Sequence, residues 1–274
     1  MALTAFQREV CRLLAAHRIA SGESYVAGAG ALNELIAAPR ISRDIDLFHD
    51  TDAALEATWE ADRRLLEERG FTVHVLRERR AYVEAQVGKG SDSLLLEWAR
   101  DSAFRFFPLV AHPDLGLTLH PFDLATNKVL ALVGRLEVRD WVDVMACHER
   151  IQPLGYLLWA ACGKDPGFGP DAILEHAART GRYSSDEVLE LSFAGEPPDA
   201  AGLSRRWHAM VAEAREIVDA LPPDEVGRCV LGRDGPLFRG DAAALRRALD
   251  AGTLLFHPGH IRGALPHLLA DQDA

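Results

Sequence analysis

The residues best suited to chemistry are two acids set into an apolar run, Arg43-Asp44-Ile45-Asp46-Leu47-Phe48. Successive side chains of a strand point to opposite faces, so Asp44 and Asp46 share one face while Ile45 and Leu47 take the other. Carboxylates roughly 7 Å apart along a strand repel one another unless a cation lies between them, and magnesium, which takes oxygen ligands, is suited to that place. The pattern predicts a metal site facing a cleft. A lone acid, Glu97, lies in a second apolar run, Leu94-Leu95-Leu96-Glu97-Trp98. Two readings of it stay open here: a strand-end glutamate reaching solvent, or a third carboxylate beside the aspartates, with Glu84 and Asp92 as rivals. Upstream, Gly28-Ala29-Gly30 separates the apolar residues 25–27 from a helix expected to open at about Ala31. Free amides at a helix start face outward and attract an anion, so a phosphate fits there.

These residues need a scaffold, and the surrounding chain supplies its signals. Phe6, Val10, Leu13, Leu14 and Ile19 recur at helical spacing among Arg8, Glu9, Arg12 and His17, which predicts an amphipathic helix packed on the sheet. The charges exclude a secretory h-region. Residues 51–69 repeat the helical period and stop at Gly70, a suitable C-terminal glycine. Residues 71–76, 81–87 and 91–98 read as strands of a meander, with Gly88-Lys89-Gly90 as a turn. Gly-x-Gly alone marks only a turn and Asp-x-Asp alone only a solvated strand edge. The signal is their order: strand, glycines, helix, then two acids in an apolar strand about fourteen residues after Gly30.

Further along, Asp123 follows Pro121 and reads as the N-cap of a helix that carries Lys128 and Arg135 seven residues apart on one face. That stripe is either an ordinary solvated face or a cationic wall with a partner. Arg139 and Asp143 stand at i and i+4 and can pair. Beyond Arg150 the expectation is helical: residues 153–161 buried, 171–180 capped by Asp171 and ended at Gly181, then 185–192 and 203–221. Residues 229–231 and 236–238 flank Gly232-Arg233-Asp234-Gly235 as a short hairpin. His257-Pro258-Gly259-His260 reads as a loop, since proline and glycine separate the histidines and no acid pair is near.

Composition bounds the rest. A chain of 274 residues, 48% hydrophobic, can bury a large core in one or two domains. Its formal charge of −11 argues against a broad electrostatic footprint for nucleic acid, so any RNA contact must be local. Cys11, Cys147, Cys162 and Cys229 form no Cys-x-x-Cys pair, so neither a zinc site nor a disulfide framework is expected, and a reducing cytoplasm fits. The longest other apolar run, residues 154–162, is too short to span a bilayer.

The order of glycine turn and Asp-x-Asp strand resembles the nucleotidyltransferase superfamily typified by DNA polymerase beta. Arg40-x-Ser42-x-Asp44-Ile45-Asp46-Leu47-Phe48 is similar to the AbiEii/AbiGii abortive-infection toxin branch, and Asp123 with Lys128, and Arg139-Asp140-x-x-Asp143, match that branch's Asp-x-x-x-x-Lys and Arg-Asp-x-x-Asp motifs. One position departs: the family's Gly-Gly-Thr/Ser turn is Gly28-Ala29-Gly30 here, so no hydroxyl is available there for a terminal phosphate. The resemblance implies an α+β fold, with a nucleotidyltransferase-type mixed sheet and flanking helices in a catalytic domain over residues 1–120. A mainly helical domain over residues 121–274 then completes the cleft. It implies transfer of a nucleoside monophosphate from a nucleoside triphosphate, with two magnesium ions on Asp44, Asp46 and Glu97, and Lys128 holding the triphosphate. Gly28 and Gly30 are then expected to let the backbone approach the phosphates, Arg40, Ser42 and Arg43 to contact phosphate or acceptor, and Arg139 with Asp143 to be either binding residues or a structural pair. It also implies an RNA acceptor, the tRNA 3′ end, and a cognate antitoxin. A small-molecule polyol or a protein hydroxyl as acceptor, and a nucleotide-binding regulator without turnover, stay open.

Overall fold

The computed structural model describes residues 2–179 and 183–268, and the chain divides into two compact units. The first comprises the residues up to Ala103, Pro108–His120 and Ser192–Gly195; the second comprises Phe104–Phe107, Pro121–Leu191 and the chain from Glu196 on. Among the described residues, no helix is long and apolar enough to cross a membrane.

The first unit runs α1 (Ala5–Ser21), β1 (Ser24–Ala27), α2 (Gly28–Leu35), β2 (Arg40–Ile41), β3 (Asp44–His49), α3 (Asp52–Glu68), β4 (Thr72–Arg79), β5 (Tyr82–Lys89) and β6 (Asp92–Arg100). After β7 (Phe104–Arg105), which belongs to the second unit, come β8 (Val110–His112) and β9 (Gly116–Thr118). Among the described residues a seven-stranded sheet has the order β4-β5-β6-β3-β1-β9-β8. The β3–β6 and β1–β9 pairs are parallel and the others antiparallel.

Local sequence explains most of these elements. Thr4 and Gln7 form a capping box that starts α1, and Gly22, at φ +64°, ends it. Thr51 caps α3 through the Ala54 amide, and Gly70 takes φ +77° just past its end. Two-residue loops join β4 to β5 and β5 to β6, the second using Gly90 at φ +64°. β3 alternates half-buried and buried, with Asp44, Asp46 and Phe48 on one face and Ile45, Leu47 and His49 on the other. Val83, Ala85, Val87, Leu94, Leu96 and Trp98 continue the buried face, under α1 and α3. The three-residue strands β8 and β9 carry no readable period. β9 is drawn onto β1 instead, pairing Thr118 with Val26, and Gly116 passes so close to α1 that a Cβ there would lie 2.8 Å from the Ala15 carbonyl oxygen.

The second unit contains α4 (Pro121–Arg135), α5 (Val138–Arg150), α6 (Leu154–Ala161), α7 (Pro170–Ala178) and α8 (Ser185–Leu189), and later α9 (Ala200–Ala220) and α10 (Ala242–Asp250). Every residue of α6 is buried. Gly155 lets it meet α9 closely, since a Cβ there would fall 2.7 Å from Ile217. Three expectations change. Gly169 precedes α7 with Pro170 in its first turn, so Asp171 lies inside the turn and is not the cap, while the expected end at Thr180 and Gly181 lies outside the described residues. The helix expected over 185–192 stops at Leu189, because Ser192-Phe193 forms β10, which pairs with Ile41 and Arg40 of β2 in the first unit. The hairpin at 229–238 survives as a bridge between Leu231 and Leu237. The ladder partner of β11 (Cys229–Gly232) is β12 (Leu254–His257), and β13 (His260–Ile261) pairs with β7. His257 sits in the second of these strands with Nε2 2.8 Å from the Phe106 carbonyl, a structural contact.

Candidate active site

The site is built where β1 runs into α2. Ser24–Ala27 is wholly buried, and α2 opens at Gly28 rather than near Ala31, so the glycines are its first turn. No side chain caps the helix start. Gly28 sits at φ +63°, which an L side chain rarely adopts, and a Cβ there would lie 1.6 Å from Asp46 Oδ2. Glycine is required twice over, for the backbone conformation and for room beside the Asp46 carboxylate. Gly30 lies against the same strand, where a Cβ would be 2.9 Å from Ile45 Cδ1 and 3.5 Å from the Asp44 carbonyl oxygen.

Strand register then sets the acids side by side. Asp46 pairs with Glu97 across the parallel β3–β6 ladder, and Glu97 pairs with Glu84 across β6–β5. Neighbouring strands lie about 4.8 Å apart and paired residues share a face, so Asp46, Glu97 and Glu84 form a row. Asp44 is two residues back on the same face. The Ser42 hydroxyl donates to Asp44 Oδ1 at 2.6 Å, while the Ser42 carbonyl accepts from Gln7 Nε2 at 2.7 Å. Ser42 thus holds Asp44 in place. The Tyr82 hydroxyl is hydrogen-bonded to Glu97; burial, then the Glu97 charge, pushes it up to about 12. Arg43 is exposed beside Asp44 and Arg40 is buried in β2. Of the two rivals to Glu97, Glu84 stands in the row and Asp92 pairs with Lys89 at the hairpin end of β6.

The donors suit a hard cation, since all are carboxylate oxygens. The expected three-acid ligand set, however, is not closed: among the described residues no three His, Cys, Asp or Glu side chains come together to hold a metal ion. Magnesium is commonly held by one or two carboxylates together with water and substrate phosphate oxygens. Asp44 and Asp46, beside a turn whose amides no side chain caps, match that requirement.

A family model described as nucleotidyl transferase AbiEii toxin, type IV toxin–antitoxin system, matches residues 12–226. The chain belongs to the AbiEii nucleotidyltransferase toxin family. It is therefore a nucleotidyltransferase of α+β fold. Two solved structures share that fold: the nucleotidyltransferase toxin MenT4 of Mycobacterium tuberculosis, 18% identical with TM-score 0.51 over 79% of this chain and 84% of that one, and JHP933 of Helicobacter pylori, 14% identical with TM-score 0.50 over 79% and 95%. No curated protein matches the chain in sequence.

The AbiEii motifs of the second unit make a buried charge cluster. Lys128 Nζ lies 2.9 Å from Asp140 Oδ1 and 3.2 Å from Asp143 Oδ2, and Arg135 grips Asp140 at 2.6 and 3.0 Å. Burial alone would raise the Asp140 carboxyl, yet Arg135 and Lys128 hold it below the usual carboxylate range. Lys128 and Arg135 thus converge on a carboxylate instead of lining a solvated face. Asp143 Oδ2 engages Lys128, and Arg139 Nε sits 2.6 Å from Glu137 Oε2. Asp123 is no N-cap: it is fully buried within the first turn of α4, accepts from the Phe106 and Phe107 amides at 2.8 and 3.0 Å, and pairs with Lys164 at 2.9 Å. Sequence reasoning passed over Tyr82. The two-residue period of Tyr82, Glu84 and Gln86 along β5, set against Glu97, was the signal that could have found it.

Proposed function

We propose that this AbiEii protein moves a nucleoside monophosphate from a nucleoside triphosphate to a hydroxyl of an RNA acceptor, with the tRNA 3′ end as the acceptor the family resemblance implies and a cognate antitoxin opposing its effect. The observation that carries this reading is the seating of Asp46 between the Gly28 turn and Glu97. The glycines admit the backbone close to the triphosphate, and the uncapped amides at the start of α2 accept its charge. Asp44, steadied by Ser42, and Asp46 would hold magnesium, two ions in the full arrangement, with Glu97 alongside. When bound, magnesium supplies positive charge at the reacting phosphate and its leaving group. The acceptor oxygen forms its bond to the α-phosphorus in line as the bond to pyrophosphate breaks, and pyrophosphate leaves with the electron pair. Glu97 takes the acceptor proton. Lys128 is assigned to the triphosphate by its motif, Arg40, Ser42 and Arg43 to phosphate or acceptor contact by their place just before the acids, and Arg139 with Asp143 either to binding or to a structural pair.

The test supplies α-labelled nucleoside triphosphates and magnesium to the protein with separated RNA, protein and small-molecule fractions. Label is expected in RNA, and Asp46→Ala abolishes it. Label in the protein or small-molecule fraction replaces RNA as acceptor. Nucleotide bound without any transfer makes the protein a binding module, and full labelling by Asp46→Ala removes the assigned site.

A further inference from the structure

The acid row on the sheet is fixed from its far side. A β-bulge interrupts the β4–β5 ladder: Val75 pairs with Ala85, the pairing then slips by one, and Arg77 pairs with Glu84. Without the slip, Leu76 would face Glu84, and Arg77 would fall on the face covered by α1 and α3. Bulges of this kind re-aim side chains next to active sites. Here the bulge delivers Arg77 to the face of Asp46, Glu97 and Glu84. Its Nε lies 3.8 Å from Glu84 Oε2 and its guanidinium carbon 5.9 Å from the Tyr82 ring centroid. Tyr82 in turn hydrogen-bonds to Glu97. Arg77 therefore offsets the acid that stands directly beside Glu97 and flanks the tyrosine that holds Glu97.

We propose that Tyr82 is a positioning residue for Glu97, and that the β4 bulge serves the site by placing Arg77 against Tyr82 and Glu84. This rests on the assignment of Glu97 to the transfer reaction. Three like charges abreast on neighbouring strands would splay apart. A donated hydroxyl on Glu97 and a guanidinium on Glu84 steady the row.

Steady-state transfer of label from α-labelled nucleoside triphosphates to RNA by the full-length protein tests this. Tyr82→Phe should lower kcat about tenfold, with KM for the triphosphate and the melting temperature unchanged, and Arg77→Gln should lower it about threefold. Tyr82→Phe placed on Glu97→Gln should cost nothing further. Native kcat in Tyr82→Phe alongside an inactive Glu97→Gln sinks the positioning role and leaves the proposed function standing. Native activity in Glu97→Gln sinks the assignment of Glu97 itself, and this inference with it.

Discussion

The two faces of the sheet carry charge in opposite ways. Under α1 and α3, Asp62 is fully buried and saturated: Arg18 grips it through both terminal nitrogens, His17 Nδ1 lies 2.7 Å away, and Trp98 Nε1 donates at 2.9 Å. Opposite charge compensates it inside the core, as a buried carboxylate requires. On the other face Asp44, Asp46, Glu97 and Glu84 are half-buried and of one sign, steadied by hydroxyls from Ser42 and Tyr82 and by Arg77 at 3.8 Å from Glu84. The first arrangement holds helices to a sheet. The second gathers carboxylates of one sign on neighbouring strands, the arrangement that the proposed function assigns to a cation and a nucleotide.

Substitutions can break that contrast, the largest effect first. Asp46→Asn should cut nucleotide transfer by about 10⁴-fold, roughly 5.5 kcal/mol of barrier, while leaving the melting temperature unchanged or raised, since it removes one of a row of like charges. Asp62→Ala should do the reverse in urea unfolding, losing about 3 to 5 kcal/mol because Arg18 is left buried without its partner. Acid should act on the same buried face. Burial pushes the His49 imidazole down to about 4 from an ordinary 6.5, and its Nδ1 donates to the Ala99 carbonyl. The folded value lies below the unfolded one, so the unfolded chain binds the proton more readily between them. The stabilisation is complete above about pH 6.5 and is lost as pH falls towards 4, amounting to about 3 kcal/mol. His49→Gln should flatten that part of a pH-dependent unfolding series. Gly28→Ala should sit between the two classes, lowering stability by about 1 to 3 kcal/mol through backbone strain and abolishing transfer by displacing the Asp46 carboxylate. Glu84→Gln should be mildest, with stability within about 0.5 kcal/mol and transfer reduced less than tenfold.

What the sequence disclosed follows the range of the interactions. The burial alternation of β3, the Gly70 stop and the meander of β4, β5 and β6 are set by neighbours within a few residues, so period and turn chemistry exposed them. The AbiEii signature located the glycine turn and the aspartates for the same reason. Register across distant strands leaves no local trace. The Leu76 bulge that brings Arg77 to Glu84, the pairing of Ser192-Phe193 with β2, and the short β8 and β9 were therefore invisible. Asp123 and Lys128 read locally as a cap and a surface cation, yet both are buried by tertiary partners, Lys164 with two backbone amides for the first and Asp140 with Asp143 for the second. Asp62 likewise looked like one more acid on an amphipathic helix, because its partner Arg18 lies on another helix.

The claim beneath these contrasts is that the face of Asp44, Asp46 and Glu97, and not the face of Asp62, receives the cation and the triphosphate. Its most direct test is a crystal of the protein soaked with manganese and an unreactive nucleoside triphosphate analogue, read by anomalous scattering. The account predicts a manganese peak within coordination distance of the Asp44 and Asp46 carboxylates, with the analogue's phosphates at the Gly28 turn. Manganese and phosphates bound elsewhere on the chain, with those two aspartates bare, would contradict it.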